Sequence, residues 1–212
     1  LGVPTTRALA AVSTGEMVFR EIPQPGGVFT RVAKSHIRVG TFQWFAIRED
    51  HLHLKQLADY VIDRLYPDVA NEKEPYLALL GSVIKRQANL IAQWMSFGFI
   101  HGVMNTDNMN VSGETIDYGP CAFMDTYHPH KKFSSIDHGG RYAYGNQASM
   151  AHWNLARFAE TLLPLIDLKQ ETAIEKATPV LGEFSTLYTE ALARRFNTKI
   201  GLDSFSQDDW QI

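Results

Sequence analysis

The spacing of apolar positions divides the chain into a strand-forming start, an aperiodic middle and helical stretches on either side of it. Residues 17–22 and 28–33 are β-prone runs flanking Pro23-Gln24-Pro25-Gly26-Gly27, which predicts a hairpin with a loop of several residues. Ahead of them, Thr5 or Thr6 in capping position and the run Arg7-Ala8-Leu9-Ala10-Ala11-Val12 predict a short helix. From Phe42 the period becomes helical. Phe42, Phe45 and Ala46 make one apolar face, and Leu54, Leu57, Ala58, Val61, Ile62 and Leu65 make a second, with Asp50 as its cap. After a break over 67–74, Leu80, Val83, Ile84, Gln87, Leu90, Ile91, Trp94 and Met95 form a stripe that packs into a core, and this helix ends at Phe97-Gly98-Phe99. Two more helices are expected, over about 148–166 and 171–196, with Pro164 and Pro179 bending or interrupting them.

Between 100 and 145 the periodicity vanishes while Gly, Asn, Asp, His and Tyr accumulate. A loop of this length inside a compact domain is functional or disordered, and its aromatic and apolar content argues against disorder. Within it, Met109-Asn110-Val111 and Thr115-Ile116 are strand candidates around Ser112-Gly113. Paired as a hairpin, they would turn Asn108 and Asp117 towards a common point. An amide oxygen beside a carboxylate suits Mg²⁺, which takes one or two carboxylates with phosphate oxygens and water. Asp107, pointing elsewhere, is then free to act as a base on a hydroxyl. Each of these residues taken alone is an ordinary turn residue. Their order is more restrictive: His101-Gly102, then Asp107-Asn108, then a hairpin, then Ile116-Asp117-Tyr118-Gly119. It mirrors the catalytic loop and metal-binding segment of kinase-like folds. Ordinary kinases carry the basic Asp two residues after the His, where this chain has Val103. Either catalysis is lost or the base has moved to Asp107, and the residues leave both readings open.

Composition narrows the partners. Of 212 residues, 45% are apolar and 20% charged, as in ordinary globular proteins, and the net charge of −3 offers no polybasic surface for nucleic acid. No run of about 18 apolar residues is present to span a membrane. Cys121 is the single cysteine, so no internal disulfide forms, and a reducing compartment fits. The opening, Leu1-Gly2-Val3-Pro4, has no initiator Met and reads as the interior of a longer chain.

The stretch from Gly98 to Leu165 resembles the selenoprotein O, or YdiU, family. The resemblance is carried by His101-Gly102-Val103-Met104-Asn105-Thr106-Asp107-Asn108, by Glu114-Thr115-Ile116-Asp117-Tyr118-Gly119-Pro120-Cys121-Ala122-Phe123, by Phe133-Ser134-Ser135-Ile136-Asp137 and by Gly140-Arg141-Tyr142-Ala143-Tyr144. Trp153-Asn154-Leu155-Ala156-Arg157 extends it, as do Gly2-Val3-Pro4-Thr5-Thr6-Arg7-Ala8-Leu9 and Arg31-Val32-Ala33-Lys34-Ser35-His36-Ile37-Arg38-Val39-Gly40 upstream.

The resemblance implies an α+β, protein kinase-like fold. Residues 1–40 would be the end of an N-lobe with its hairpin. Residues 41–212 would be a helical C-lobe carrying the catalytic loop at 98–145. It implies a protein adenylyltransferase that binds ATP and transfers AMP to Ser, Thr or Tyr hydroxyls of proteins. Mg²⁺ is the implied ion, with Mn²⁺ its alternative. Asp107 would be the proton acceptor, Asn108 and Asp117 the metal ligands, and Arg31, Arg38 and Asp117 the nucleotide contacts. Guanidinium groups suit that role because they bind phosphate in a bidentate manner. The family's glycine-rich loop, phosphate-binding Lys and redox-active C-terminal end are not among the motifs here, so the chain is expected to be a central fragment. The expected location is the bacterial cytoplasm, or the mitochondrion of a eukaryote.

Two other functions compete: a small-molecule phosphotransferase, against which Val103 argues, and a non-catalytic nucleotide-binding or scaffold module. Among the remaining signals, His128-Pro129-His130 reads as a surface loop rather than a transition-metal site. His101 is expected to orient the catalytic loop, Asp137 to anchor a loop by accepting backbone hydrogen bonds, and Cys121 to pack rather than react.

Overall fold

The computed structural model describes residues 2–202 and has α+β architecture. The last ten residues of the expected helical lobe lie outside the described residues. Strands β1 (Arg7–Phe19) and β2 (Pro23–Val32) form an antiparallel ribbon, followed by helices α1 (Val39–Ala46), α2 (His51–Leu65) and α3 (Pro75–Phe97). A two-residue strand, β3 (Phe99–Ile100), pairs antiparallel with β4 (Ala122–Phe123), and α4 (Gln147–Ile166) and α5 (Gln170–Ile200) complete the body.

The ribbon departs from expectation at both ends. Residues 7–12 are strand, not helix: Arg7 pairs with Val32, Ala8 with Arg31 and Val12 with Val28. Helix propensity of the alanines is worth a few tenths of a kcal/mol per residue, less than a full ladder of cross-strand pairing supplies. The turn falls at 20–22, and Pro23–Gly27, expected as the loop, belongs to β2, where Pro23 faces Phe19 and Pro25 faces Met17. In a two-stranded ribbon each strand has a free edge, so prolines without an N–H are tolerated there.

The helices follow the apolar pattern closely. Asp50 caps α2 by accepting from the His53 N–H at 3.2 Å. Helix α3 runs along the centre and packs against α4 and α5, burying Leu79, Leu80, Val83, Ile84 and Ile91 with Leu155, Phe158 and Leu162. Phe42 of α1 meets Phe158 of α4 edge-on at 5.0 Å between ring centroids. Gly98 ends α3 in the left-handed conformation (φ 68°), which glycine adopts without steric cost, and the chain enters β3 at once. Pro164 and Pro179 do not interrupt their helices; α4 and α5 run through them, each braced by the other and by α3. Among the described residues no helix is long and apolar enough to cross a membrane.

Residues 109–111 and 115–116 do not pair with each other. Instead Val39 N–H donates to the Met109 carbonyl and Val111 N–H to the Ile37 carbonyl, both at 3.0 Å, while Thr115 N–H donates to Pro4 (2.9 Å) and Thr6 N–H to Thr115 (3.0 Å). The aperiodic middle is therefore stitched to the chain's beginning.

Candidate active site

The turn that carries Asp107 and Asn108 is set locally. The Asn105 side chain accepts from Asp107 N–H at 3.0 Å, and Asn108 N–H reaches the Asn105 carbonyl at 3.0 Å, closing a 3₁₀ turn over Thr106–Asn108. Asn108 Nδ2 donates to the Val103 carbonyl at 2.8 Å, which fixes the amide and leaves Oδ1 as an outward acceptor. Asp107 is exposed and packs against the start of α1. A Cβ added at Gly40 would lie 2.0 Å from Asp107 Oδ1, so glycine is what admits the carboxylate there.

Asp117 sits at the opposite end of the segment with φ 60°, a left-handed conformation uncommon outside glycine, closed by Gly119 N–H donating to its carbonyl at 2.9 Å. Its two carboxylate oxygens are shared between two arginines: Arg31 Nη1 donates to Oδ1 and Arg38 Nη2 to Oδ2, each at 2.7 Å. Asn108, Asp117 and Arg31 line one open cleft of about 730 Å³, together with Phe29, Val103, Tyr118 and Gly119. Phe29 and Arg31 alternate onto the same face of β2, which aims both at the cleft. Arg38 Nε is buried and has no partner among the described residues, so that guanidinium keeps a spare donor. Asp107 stands beside this lining and not in it.

Beneath the cleft a buried polar scaffold holds the loop. His101 is fully buried, stacks on Trp94 and donates from Nε2 to the Ile116 carbonyl at 2.7 Å, tying the residue next to Asp117 to the start of the aperiodic loop. Burial holds its pKa below the ordinary value of 6.5, against the opposing effects of that hydrogen bond and of Asp117, so the ring is neutral. Gln147, at the start of α4, accepts from His101 N–H (3.0 Å) and donates to the Phe99 carbonyl (2.8 Å). Two turns on, Asn154 donates to the Met104 carbonyl at 3.0 Å. From α3, Gln87 donates to the Asn110 carbonyl (2.7 Å) and Trp94 Nε1 to Thr115 Oγ1 (3.0 Å).

The stripe expected only to fill a core thus also grips the loop. Gln147, Asn154, Gln87 and Trp94 are holders of the site that the motifs do not reveal; their signal in the sequence is a polar group at a core-facing helical position.

Asp137 accepts from Arg141 N–H (2.8 Å) and Tyr142 N–H (2.9 Å), the anchoring role read from sequence. Cys121 is half-buried and its thiol is pushed up by burial, the opposite of an activated nucleophile. His130 N–H donates to His128 Nδ1 at 3.1 Å in an exposed loop. Among the described residues no three His, Cys, Asp or Glu side chains converge on a point.

Fold and cleft together define an α+β chain with a carboxylate, flanked by two arginines and accompanied by an amide, at an open cleft. Over residues 1–211 the sequence matches the family described as protein adenylyltransferase SelO, and the chain belongs to that family. It is similar to proteins named protein nucleotidyltransferase YdiU. The relative from Agrobacterium fabrum is 59% identical over all 212 residues, which cover 44% of that protein. The one from Chromobacterium violaceum is 60% identical over 99% of this chain and 44% of the relative, and the one from Mycolicibacterium smegmatis 57% identical over 96% and 43%. The chain therefore spans less than half the length of the curated relatives it matches.

Proposed function

We propose that the chain carries the catalytic centre of a protein adenylyltransferase of protein kinase-like fold, acting on ATP and on protein hydroxyl groups. Residues 1–40 would be the end of its N-lobe and the remainder its C-lobe. The observation that supports the reading best is the convergence of Arg31 and Arg38 on Asp117 in the cleft that Asn108 also lines. Arginines so held are pre-organised to receive phosphate oxygens.

The donor set fits Mg²⁺, or Mn²⁺ in its place. Asn108 Oδ1 and the Asp117 carboxylate are hard oxygens, and a carboxylate has lone pairs enough for two guanidinium groups and an ion. When bound, the ion supplies charge neutralisation at the phosphates. The remaining chemistry belongs to this chain's side chains. The protein hydroxyl attacks the α-phosphorus of ATP, the bond to the bridging oxygen of the β-phosphate breaks, and pyrophosphate leaves. The hydroxyl proton passes to Asp107. Asp107 is exposed to an incoming hydroxyl and separate from the Asn108–Asp117 pair, a division of labour that suits a base. Val103, which supplies only its carbonyl to Asn108, has no proton-accepting side chain.

Label transfer separates this reading from its rivals. Incubated with Mg²⁺ and a protein acceptor, the full-length protein should transfer radiolabel from [α-³²P]ATP and not from [γ-³²P]ATP. Transfer of γ label alone would establish a phosphotransferase, and nucleotide binding with neither label transferred would establish a binding module.

A further inference from the structure

Residues 31–38 and 108–117, which carry the polar groups of the catalytic cleft, also border a second cleft of about 530 Å³, closed by α3 and α5. Its lining sets the charged side chains of Lys34, Lys85, Arg86 and Arg195 against those of Asp68 and Glu114. Glu114 is buried and already engaged, its Oε2 accepting from Lys34 N–H at 2.8 Å and from the Ser112 hydroxyl at 3.3 Å.

Among the described residues no carboxylate lies within ion-pair distance of Lys34, Lys85, Arg86 or Arg195. Arg86 is immobilised, lying 3.9 Å from the Tyr66 ring centroid and donating from Nη2 to Leu65 O (2.7 Å) and from Nη1 to Ser112 O (3.4 Å). That leaves part of its five-donor fork free. Arg195 is partly buried, its side chain donates to Gln93 Oε1 at 3.4 Å and to no other described residue, and burial and the neighbouring Arg194 both disfavour its charge. A guanidinium does not give up its proton, so this charge is held in a concave site with no counter-ion among the described residues, at a cost in solvation.

We propose that this second cleft binds a phosphate-bearing small molecule, its phosphate held among Lys34, Lys85, Arg86 and Arg195. The excess of two positive charges selects an anion. The fixed Arg86 fork and two exposed lysines suit phosphate geometry, and the volume falls within the range of small-ligand sites. Such an occupant would rest on Lys34 and Glu114, whose hydrogen bond joins the two segments that also carry the catalytic cleft.

The probe is inorganic phosphate, titrated into the full-length, nucleotide-free protein at constant ionic strength and followed by ³¹P line broadening. Saturable binding is expected. Lys85→Gln and Arg195→Gln should each weaken it about tenfold, the effect of losing one charge-assisted contact. A saturable component should persist in Arg31→Ala, whose catalytic cleft has lost one phosphate contact, and should still weaken when Lys85→Gln is added to that background. Lys85 is exposed on its helix, so Lys85→Gln decides the matter even if Arg195→Gln does not fold. The proposal is overturned if phosphate does not bind saturably, if Lys85→Gln binds it with parental affinity, or if Arg31→Ala abolishes binding and so locates the phosphate in the catalytic cleft.

Discussion

His101 shows how a titratable side chain becomes structural. Stacked on Trp94 and donating to the Ile116 carbonyl, it is buried in its neutral form, and burial lowers its pKa below 6.5. Between the folded-state pKa and 6.5 the unfolded chain binds the extra proton, so stability increases with pH across that interval. The contribution is complete above about 6.5 and is lost as the pH falls below it. Melting temperatures measured between pH 7.5 and 5.5 should therefore fall on acidification, and the slope should flatten in His101→Gln. An unchanged slope in that variant would assign the acid sensitivity to other groups. The roles of His101 and Asp137 were legible in sequence because a glycine-flanked or turn-embedded polar residue has few other uses. Gln147 and Asn154 were not, because a polar residue on an apolar helix face gives no indication of which distant carbonyl it reaches.

The junction of α1 with the Thr106–Asn108 turn is where element packing meets chemistry. Gly40 leaves room for the Asp107 carboxylate, and a methyl group there would meet Oδ1 at 2.0 Å. The obstructed atom is the end of a rotatable side chain, so Gly40→Ala should keep the fold, with a stability change within about 1 kcal/mol. Asp107 would swing aside, and a displacement of about 1 Å at a reacting group can cost on the order of 10²-fold in rate. Single-turnover transfer by the full-length variant checks this, and a parental rate would show that the contact does not position the base. At this scale the sequence was read well wherever a pattern is local. The 3.6-residue period located α1 to α5, and Asp50 marked the start of α2. It was read poorly wherever pairing is distant. Nothing periodic in Arg7–Val12 announces Val28–Val32 as partner, and residues 109–116 look like a hairpin until their hydrogen bonds are found on 37–39 and 4–6.

At the scale of the molecule, the site lies where the ribbon meets the helical body. Arg31 comes from the end of β2, Arg38 from the connection into α1 and Asp117 from the loop gripped by α3 and α4. The β1–β2 ribbon is exposed along nearly its whole length, including Leu9, Val12, Val28 and Phe29, and the two arginine pairs are about one-third exposed. Pairs so exposed add at most about 1 kcal/mol each to stability, so their larger contribution is to hold guanidinium groups ready at the cleft. In the proposed mechanism Asp107 serves the chemistry and Asp117 the binding. The most direct test measures ATP affinity in Mg²⁺ by calorimetry, together with single-turnover AMP transfer, for Asp107→Ala and Asp117→Ala in the full-length protein. Asp107→Ala should bind ATP with parental affinity and transfer AMP about 10²–10⁴ times more slowly. Asp117→Ala should lose both, since the arginines and the ion would no longer share a carboxylate. AMP transfer at the parental rate by Asp107→Ala would rule out Asp107 as the base.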